Sequence, residues 1–462
     1  MKKISFIAAT FLCGSLYAAD DIASAFKEGR MDGRLRAQYF STDWDDNTAT
    51  GKNGSDVHGL AIGGSLIYHT APVSGLSAAA GLYTTQNPGG WTGVEDGATA
   101  QTSKDLFARG PGSTYHYGEG YAVLAQAYLQ YDISKSTLKA GRMLMNNPWI
   151  SPNDSKMIPI AIEGVDFVSN DIPDTTIQID YADRVKERGM DYFGNMADTA
   201  DTPDAIKNYY TTHYGSGTHG EAPDVTVAGI KNRSIGGLEL QGWVMHWPDI
   251  VDHYMVEANY KVKVGEAGLS FGGRYLKQQD KGAGEIILPA ANNGDDDNSI
   301  DAYMVAFKTA LSYGAGKMTL ATSRTSSGAD ILAPWRGFPT GGYTRSMTQS
   351  DWTANSRSYK AQFDYDCNTY VPGFSTMLSY SHYDRDPSKT PYQSMTDRLF
   401  GNGDTRQWNL DLIYKLSGSW KGTELKARLM DQENDIDNTK ADGSAVIDTS
   451  NREMRLEANY FF

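Results

Sequence analysis

The sequence contains almost no cysteine: two residues in 462, Cys13 and Cys367. Cys13 lies in an N-terminal apolar stretch that we expect to be removed, which leaves one thiol in the mature chain. One cysteine forms no intramolecular disulfide and supplies no cysteine cluster for a metal. The sequence therefore excludes a disulfide-stabilised secreted domain.

Long apolar runs are also missing, and the mean hydropathy is −0.48. No mature stretch approaches the roughly 18 apolar residues that a transmembrane helix needs. The one short run, residues 4–16, follows Lys2 and Lys3 and ends before Ala18 and Ala19. This pattern predicts a secretory signal peptide at residues 1–19, followed by one domain at 20–462.

Positive charge is scarce, with 42 basic against 56 acidic residues and a net charge of −14. Loss of Lys2 and Lys3 with the signal peptide changes this charge to −16. Nucleic acid needs a basic surface, so it is excluded as a partner. The G-x-S-x-G pattern at 268–272 lies in an alternating strand without a following helical pattern. We expect no enzyme, cofactor or metal.

What the sequence does contain is an alternation of apolar and polar residues, most clearly in its last stretch, residues 451–462. Apolar and aromatic residues at even positions, ending in Tyr460 and Phe462, alternate with charged residues such as Glu453 and Arg455. A period of two is that of a strand. With lipid on one face and water on the other, such strands form a transmembrane barrel. The alternative is the edge strand of a soluble sandwich.

Further alternating stretches follow along the chain, joined in turn by long polar links and short links. They predict about 18 strands in all. Gly (48) and Tyr (28) are abundant, as turns and aromatic girdles require. A soluble domain of this length would divide in two, whereas a barrel need not. The predicted fold is therefore an all-β, antiparallel transmembrane β-barrel. The alternation places the odd-numbered residues of 121–131 on one face of their strand. It also places Arg142 on the apolar face of its strand, unless a β-bulge shifts the alternation there.

If the apolar residues of each strand face outward, the inward face carries charges. Their desolvation would be costly in a packed barrel but not in a water-filled channel. Bases concentrate on the first strand and the last two, which become neighbours on closure. They would form a positive wall that attracts anions. The alternative is that Glu424, Glu453 and Glu457 neutralise them across strands.

Three stretches carry a family resemblance. The middle one reads LKAGR at 138–142, with Asn147-Pro148, DSKMIP at 154–159 and EGV at 163–165. The opening AFKEGR at 25–30 and the closing strand at 453–462 agree with it. Together they resemble the OprD family of bacterial outer-membrane porins. The family's loop arginine is Lys156 here, and lysine lacks the planar fork that binds carboxylates.

The resemblance implies an 18-stranded channel whose third long link, residues 147–162, folds inward as a constriction. An ordinary external loop is the alternative. The implied constriction residues are Asn147, Trp149, Asp154, Ser155, Lys156 and Glu163. The implied ladder of bases that guides carboxylates comprises Arg34, Arg36, Arg142, Arg274, Lys308, Lys360, Lys426, Arg428 and Arg455.

The predicted function is passive, substrate-selective diffusion of small carboxylates or amino acids across the bacterial outer membrane. Alternatives are a sugar-specific porin, with Trp243, Trp247 and Tyr128 as the inward aromatics, and a plugged barrel acting as an adhesin. Expected partners are small solutes, outer-membrane lipid and lipopolysaccharide, and the assembly machinery through the C-terminal strand. We expect a monomer or a loose homotrimer. The sequence determines neither the solute nor the ion selectivity.

Overall fold

The computed structural model describes most of the chain. The described residues are 19–45, 56–88, 105–108, 118–199, 202–214, 223–282, 299–332, 334–337, 342–347, 352–386, 389, 403–435 and 450–462. The predicted signal peptide lies outside them apart from Ala19, so its boundary stays a prediction. Within these ranges no helix has the length and apolar character needed to cross a membrane.

The chain forms a closed antiparallel β-barrel of 18 strands, as the alternation predicts. A two-residue strand, β8, pairs only with the end of β7 and stands outside this ring. The elements are α1 (Ile22–Lys27), β1 (Arg30–Trp44), β2 (Val57–His69), β3 (Leu76–Gln86), β4 (Tyr121–Ile133), β5 (Ser136–Met143), β6 (Ala161–Ser169), β7 (Thr175–Lys186), β8 (Gly194–Asn195), α2 (Asp204–Tyr214), β9 (Val225–Asn232), β10 (Leu238–Trp247), β11 (Val251–Val264), β12 (Ala267–Asp280), β13 (Ala302–Tyr313), β14 (Gly316–Thr325), β15 (Arg357–Asp366), β16 (Phe374–Asp384), β17 (Thr405–Lys415), β18 (Thr423–Asn434) and β19 (Asn451–Phe461).

The last strand closes the ring against the first. β19 pairs with β1 over eleven residues, from Arg34 opposite Phe461 to Trp44 opposite Asn451. β1 also pairs with β2, so the backbone groups of both its edges have partners. Closure leaves no edge of unpaired amides, which hydrocarbon would not tolerate.

The two faces of the wall follow the alternation in most strands. Val256 and Phe307 point outward and are exposed, while their strand neighbours Glu257 and Lys308 point inward. Short links join strands at one end of the barrel and most long links lie at the other. This is the arrangement of periplasmic turns and external loops. The link 248–250 is the short exception at the long-link end.

A bulge in β4 corrects one expectation. Gly81 pairs with Gln126 but Leu82 pairs with Leu124, so Ala125 is the extra residue. Before it odd residues face inward. After it Leu129 and Tyr131 face outward, 58% and 42% exposed. The prediction that odd residues of 121–131 share one face is therefore wrong, because a bulge inserts one residue and reverses the alternation.

Part of the barrel interior is a packed core. Inward strand residues such as Trp247 join Trp149 and Trp335 from the long links, and all three side chains are fully buried. The ring centroids of Trp247 and Trp335 lie 4.8 Å apart. A second cluster surrounds Phe40 and Met157. Water therefore does not fill the whole cross-section, contrary to the simple picture of a hollow channel.

We predict that Ala258→Arg, which puts a charge on the outer face of β11, lowers the free energy of unfolding by about 2–4 kcal/mol. The neighbouring inward substitution Asn259→Arg is the control. It loses the 2.7 Å hydrogen bond from Asn259 to Glu257. The new guanidinium can donate to the same carboxylate, so we expect a net cost of about 1 kcal/mol or less. Denaturant unfolding in lipid vesicles measures both, and equal losses would contradict the assigned faces.

Candidate functional site

The first inward link, residues 144–160, starts from an anchor on the wall. Asn147 Nδ2 donates to Asp180 Oδ2 of β7 at 2.8 Å. Asn147 Oδ1 accepts from the backbone amides of Trp149 and Ile150. The ring centroids of Trp149 and of His253 on β11 lie 5.7 Å apart. Asn147 and Trp149, both predicted at the constriction, therefore fix the base of the link inside the barrel.

The tip of the first inward link binds the lumenal face of β1. Arg34 makes a two-pronged contact with the Asp154 carboxylate, with NH2 to Oδ1 at 3.1 Å. Arg36 NH1 donates to the same carboxylate at 3.0 Å. Gln38 Nε2 donates to the Ser155 carbonyl at 3.1 Å. The sequence predicted Arg34, Arg36, Asp154 and Ser155 separately but not Gln38, and the structure brings all five together as a clamp between link and wall.

Lys156 is packed rather than presented to the lumen. Its side chain is 3% exposed, and Nζ lies 4.2 Å from the centroid of the Phe40 ring. The guanidinium of Arg455 lies 5.7 Å from the same ring, and Arg36 donates to the Lys156 carbonyl. Two cations thus flank one buried aromatic ring, a favourable arrangement when the site is desolvated. A direct contact between the Lys156 ammonium and a solute is not what this geometry offers.

Arg142 and Glu163 pair with each other on adjacent strands. Arg142 Nε lies 3.0 Å from Glu163 Oε2. The Arg142 guanidinium carbon lies 4.4 Å from the centroid of the buried Phe193 ring. Gly141, with a φ of +123°, occupies the preceding position, where its missing Cβ allows the close approach of β4. This pair is separate from the clamp at Arg34 and Arg36.

Three further predicted bases of the inner wall also have acidic partners. Arg428 Nε lies 3.1 Å from both oxygens of Asp411. Arg274 Nε lies 2.6 Å from Glu257, and Arg455 contacts Glu453. The wall therefore carries a row of ion pairs, but Glu453 pairs with Arg455 within β19 rather than across strands as expected. The remaining expected acids form longer pairs, Arg36–Glu457 and Lys415–Glu424, each at 3.8 Å.

A second inward link, formed by the described residues between 326 and 356, was not predicted. The ring of Tyr343 lies 3.9 Å from Lys308 Nζ and 5.0 Å from the Arg274 guanidinium carbon. Burial, with the Glu257 carboxylate nearby, raises the pKa of the Tyr343 hydroxyl, which stays protonated at neutral pH. A neutral ring between two cations attaches this link to the wall.

Hydrogen bonds extend this attachment. Thr344 Oγ1 lies 2.8 Å from Ser323 Oγ, and the Thr344 carbonyl accepts from Tyr383 OH at 3.0 Å. Lys360 Nζ donates to the Arg345 carbonyl. Arg274, Lys308 and Lys360, predicted as ladder residues, thus hold the second inward link. In the sequence it resembles any Gly- and Thr-rich loop, with Tyr343 and Arg345 as the only distinguishing signal.

Two ion pairs and a hydrogen bond also join the long links to one another. Arg188 NH2 lies 2.7 Å from Asp105 Oδ2, and Arg188 NH1 donates to Ser155 Oγ at 3.0 Å. Arg336 NH2 lies 3.0 Å from Glu187 Oε1. Apart from Ser155, these residues occur in non-periodic stretches and were not predicted.

Lys426 differs from the paired bases. It is half-buried on the inner face of β18, and no ion pair joins it to the described part of the chain. The charges of Arg428, Glu457 and Asp411 act on it from nearby. The same described residues contain no group of three or more His, Cys, Asp or Glu side chains suited to a metal ion.

A closed 18-stranded barrel with an apolar outer face and a charged lumen narrowed by inward links defines an outer-membrane porin. The protein is thus a bacterial outer-membrane protein. Residues 26–460 match the family described as outer membrane porin, OprD family. The chain belongs to the OprD family.

Solved structures share the fold at low sequence identity. Pseudomonas aeruginosa OpdK with vanillate is 17% identical, with a TM-score of 0.70 over 95% of this chain and 99% of that one. P. aeruginosa OccK9 (OpdG) is 16% identical, with a TM-score of 0.72 over the same shares. P. aeruginosa OccK2 (OpdF) in complex with glucuronate is 14% identical, with a TM-score of 0.67 over 95% and 97%. A comparison with curated proteins found no match.

We predict that Asp154→Asn loosens the first inward link and exposes Arg34 and Arg36. Single-channel conductance should rise, and the reversal potential should shift toward anion selectivity. Hydrogen bonds to charged groups contribute about 1.5–3 kcal/mol, and the 39% exposure of the Asp154 side chain favours the lower end. Asp364→Asn is the control, since Asp364 accepts from Gln362 on its own strand. Identical channel properties in both variants would contradict the clamp.

The attachment of Tyr343 makes a second prediction. Tyr343→Leu removes the ring and about 0.5–2 kcal/mol of cation–π attraction. Conductance and the rate of tryptic cleavage after Arg345 should then increase. Tyr343→Phe keeps the ring face and should leave both unchanged. Equal behaviour of the two variants would show that the ring does not hold the link.

Proposed function

We propose that this porin passes small carboxylates by passive diffusion along the inner wall formed by β18, β19 and β1. The observation that carries the proposal is the row of inward bases there, next to the tip of the first inward link. Lys426, Arg428 and Arg455 lie on β18 and β19, and Arg34 and Arg36 lie on β1. A charged, water-lined wall raises the local concentration of oppositely charged solutes.

Paired bases suit transport better than free ones. A guanidinium that already binds a carboxylate of the wall, as Arg428 binds Asp411, can exchange it for a carboxylate of the solute with little net change in energy. Its planar fork fits both. A solute would then move from base to base without being trapped. Lys426, with no wall carboxylate bound, lies nearer the short-link end than Arg428 and Arg455, and we expect it to receive the solute from them.

The relatives support the class of solute. Two of the similar structures contain vanillate and glucuronate, and each of these molecules carries a carboxylate. Amino acids, which also carry one, stay within the proposal. The departure at Lys156, where the family has arginine, coincides with a lysine packed on Phe40. We infer that Arg34 and Arg36 supply the forks at this point.

A sugar-specific porin fits the lumen less well. It would present aromatic rings along the path, but Trp243 and Trp247 are buried in the packed core. Tyr128 is half-buried with Lys139 Nζ 5.3 Å from its ring centroid. A plugged barrel acting as an adhesin is the other alternative, and the conductance experiment below distinguishes it.

We also propose that the protein acts as a channel without catalysis or cofactor. Within the described strands, Ser270 of the G-x-S-x-G pattern pairs with Lys261 and Ala310 in the wall. Recognition of the C-terminal strand by the assembly machinery, contact with lipopolysaccharide, and a monomeric or loosely trimeric state complete the proposal.

The test compares two substitutions that change the net charge equally. Lys426→Ala removes a lumenal cation, whereas Lys421→Ala removes one from an exposed turn. One charge near the path contributes about 1 kcal/mol in water at close range. Benzoate permeability measured by reversal potential in planar bilayers should therefore fall roughly fivefold for Lys426→Ala only.

Each outcome of this experiment has a meaning. Normal conductance with unchanged benzoate permeability in Lys426→Ala would overturn the role of the basic wall. Equal losses in both variants would indicate an effect of overall charge. No conductance from folded wild-type protein would favour the plugged barrel.

A further inference from the structure

The short helix α1 is fixed to the end of the barrel that carries the short links. A capping box between Asp21 and Ser24 closes its first turn. Ala25 is buried, and its carbonyl accepts from the Ala71 amide at 2.9 Å in the turn between β2 and β3. The helix is therefore part of the folded rim, and its orientation is determined.

The opposite side of α1 presents two large apolar side chains. Ile22 is 73% exposed and Phe26 is 60% exposed. Residues four apart lie on one face of a helix, so the two form a single patch. Large apolar groups exposed together at the surface mark an interaction site rather than a random feature.

The patch continues the outer face of the barrel. The ring of Phe26 stacks on Tyr68 at 6.4 Å with an interplanar angle of 10°. Tyr68 pairs with Met31 of β1 in the ladder, and Met31 shares the outward face with the exposed Leu35. Phe26 therefore lies on the lipid side of the wall.

Aromatic residues of the closing strand complete the same belt. The ring of Phe462 lies over Gly33, where a Cβ would come within 2.2 Å of it. Phe462 also stacks on Tyr460 at 6.0 Å, and Tyr460 pairs with Leu35. A belt of aromatics at one end of a transmembrane wall marks the membrane–water interface.

We propose that α1 is an interfacial anchor, in which Ile22 and Phe26 enter the boundary between head groups and acyl chains of the periplasmic leaflet. Continuity with the belt of Tyr68, Tyr460 and Phe462 identifies phospholipid as the occupant. Lys27, also exposed, follows the patch and lies within reach of the phosphate groups. An apolar helix face lying in the interface plane is a known mode of membrane attachment.

Spin labelling tests the anchor, and the scarcity of cysteine makes it practical. In full-length protein with Cys13→Ser and Cys367→Ser, single labels are placed by Ile22→Cys and Phe26→Cys. Lys27→Cys on the polar side of the helix is the matched control, and Leu35→Cys on β1 is the lipid-facing reference. The protein is reconstituted in phosphatidylethanolamine and phosphatidylglycerol vesicles. Collision rates with oxygen and with a nickel chelate are then measured.

The anchor predicts an oxygen-to-nickel collision ratio at positions 22 and 26 several-fold above that at 27 and close to that at 35. Ratios equal to the control would place the patch in water and overturn the proposal. Protection from both reagents would indicate a second copy of the chain as the occupant and would also overturn it. Neither result depends on the solute or on channel selectivity.

Discussion

The structure depends on the need to satisfy every backbone amide of a wall that faces hydrocarbon. An unpaired amide in lipid costs several kcal/mol, so an open sheet could not persist there. Pairing of β19 with β1 over eleven residues removes the two edges at once. The strong alternation of the last stretch follows from this, because that strand must face lipid and lumen along its whole length.

Closure in turn creates the lumen and its electrostatics. The inward charges come from strands far apart in the sequence, and closing the ring brings β18, β19 and β1 together. Burial of so many charges is tolerable because most are paired. Arg34 and Arg36 bind Asp154, and Arg428 binds Asp411. We propose that this wall attracts anions locally although the whole chain is acidic.

The inward links narrow the lumen of a wide ring. Both links use the same chemistry: bases of the wall bind carboxylates, carbonyls or aromatic rings of the link. The first link uses Asp154 and the second uses Tyr343. Around them, buried tryptophans fill part of the interior. The bases thus serve two purposes, since they hold the links and line the path.

The sequence by itself determined most of the strands, their approximate number and most of the two faces, because these depend on residue periodicity along each strand. The signal-peptide pattern and the family resemblance added the outer-membrane setting. The sequence also indicated the first inward link through the stretch around Asn147 and Asp154. Only the tertiary structure decided which charges pair, that Lys156 packs on Phe40, and that Tyr343 brings a second link inward. Even the reversal of faces after Ala125 needed the register of β3 against β4. Contacts between distant segments follow from closure of the ring, and no local pattern in the sequence encodes them.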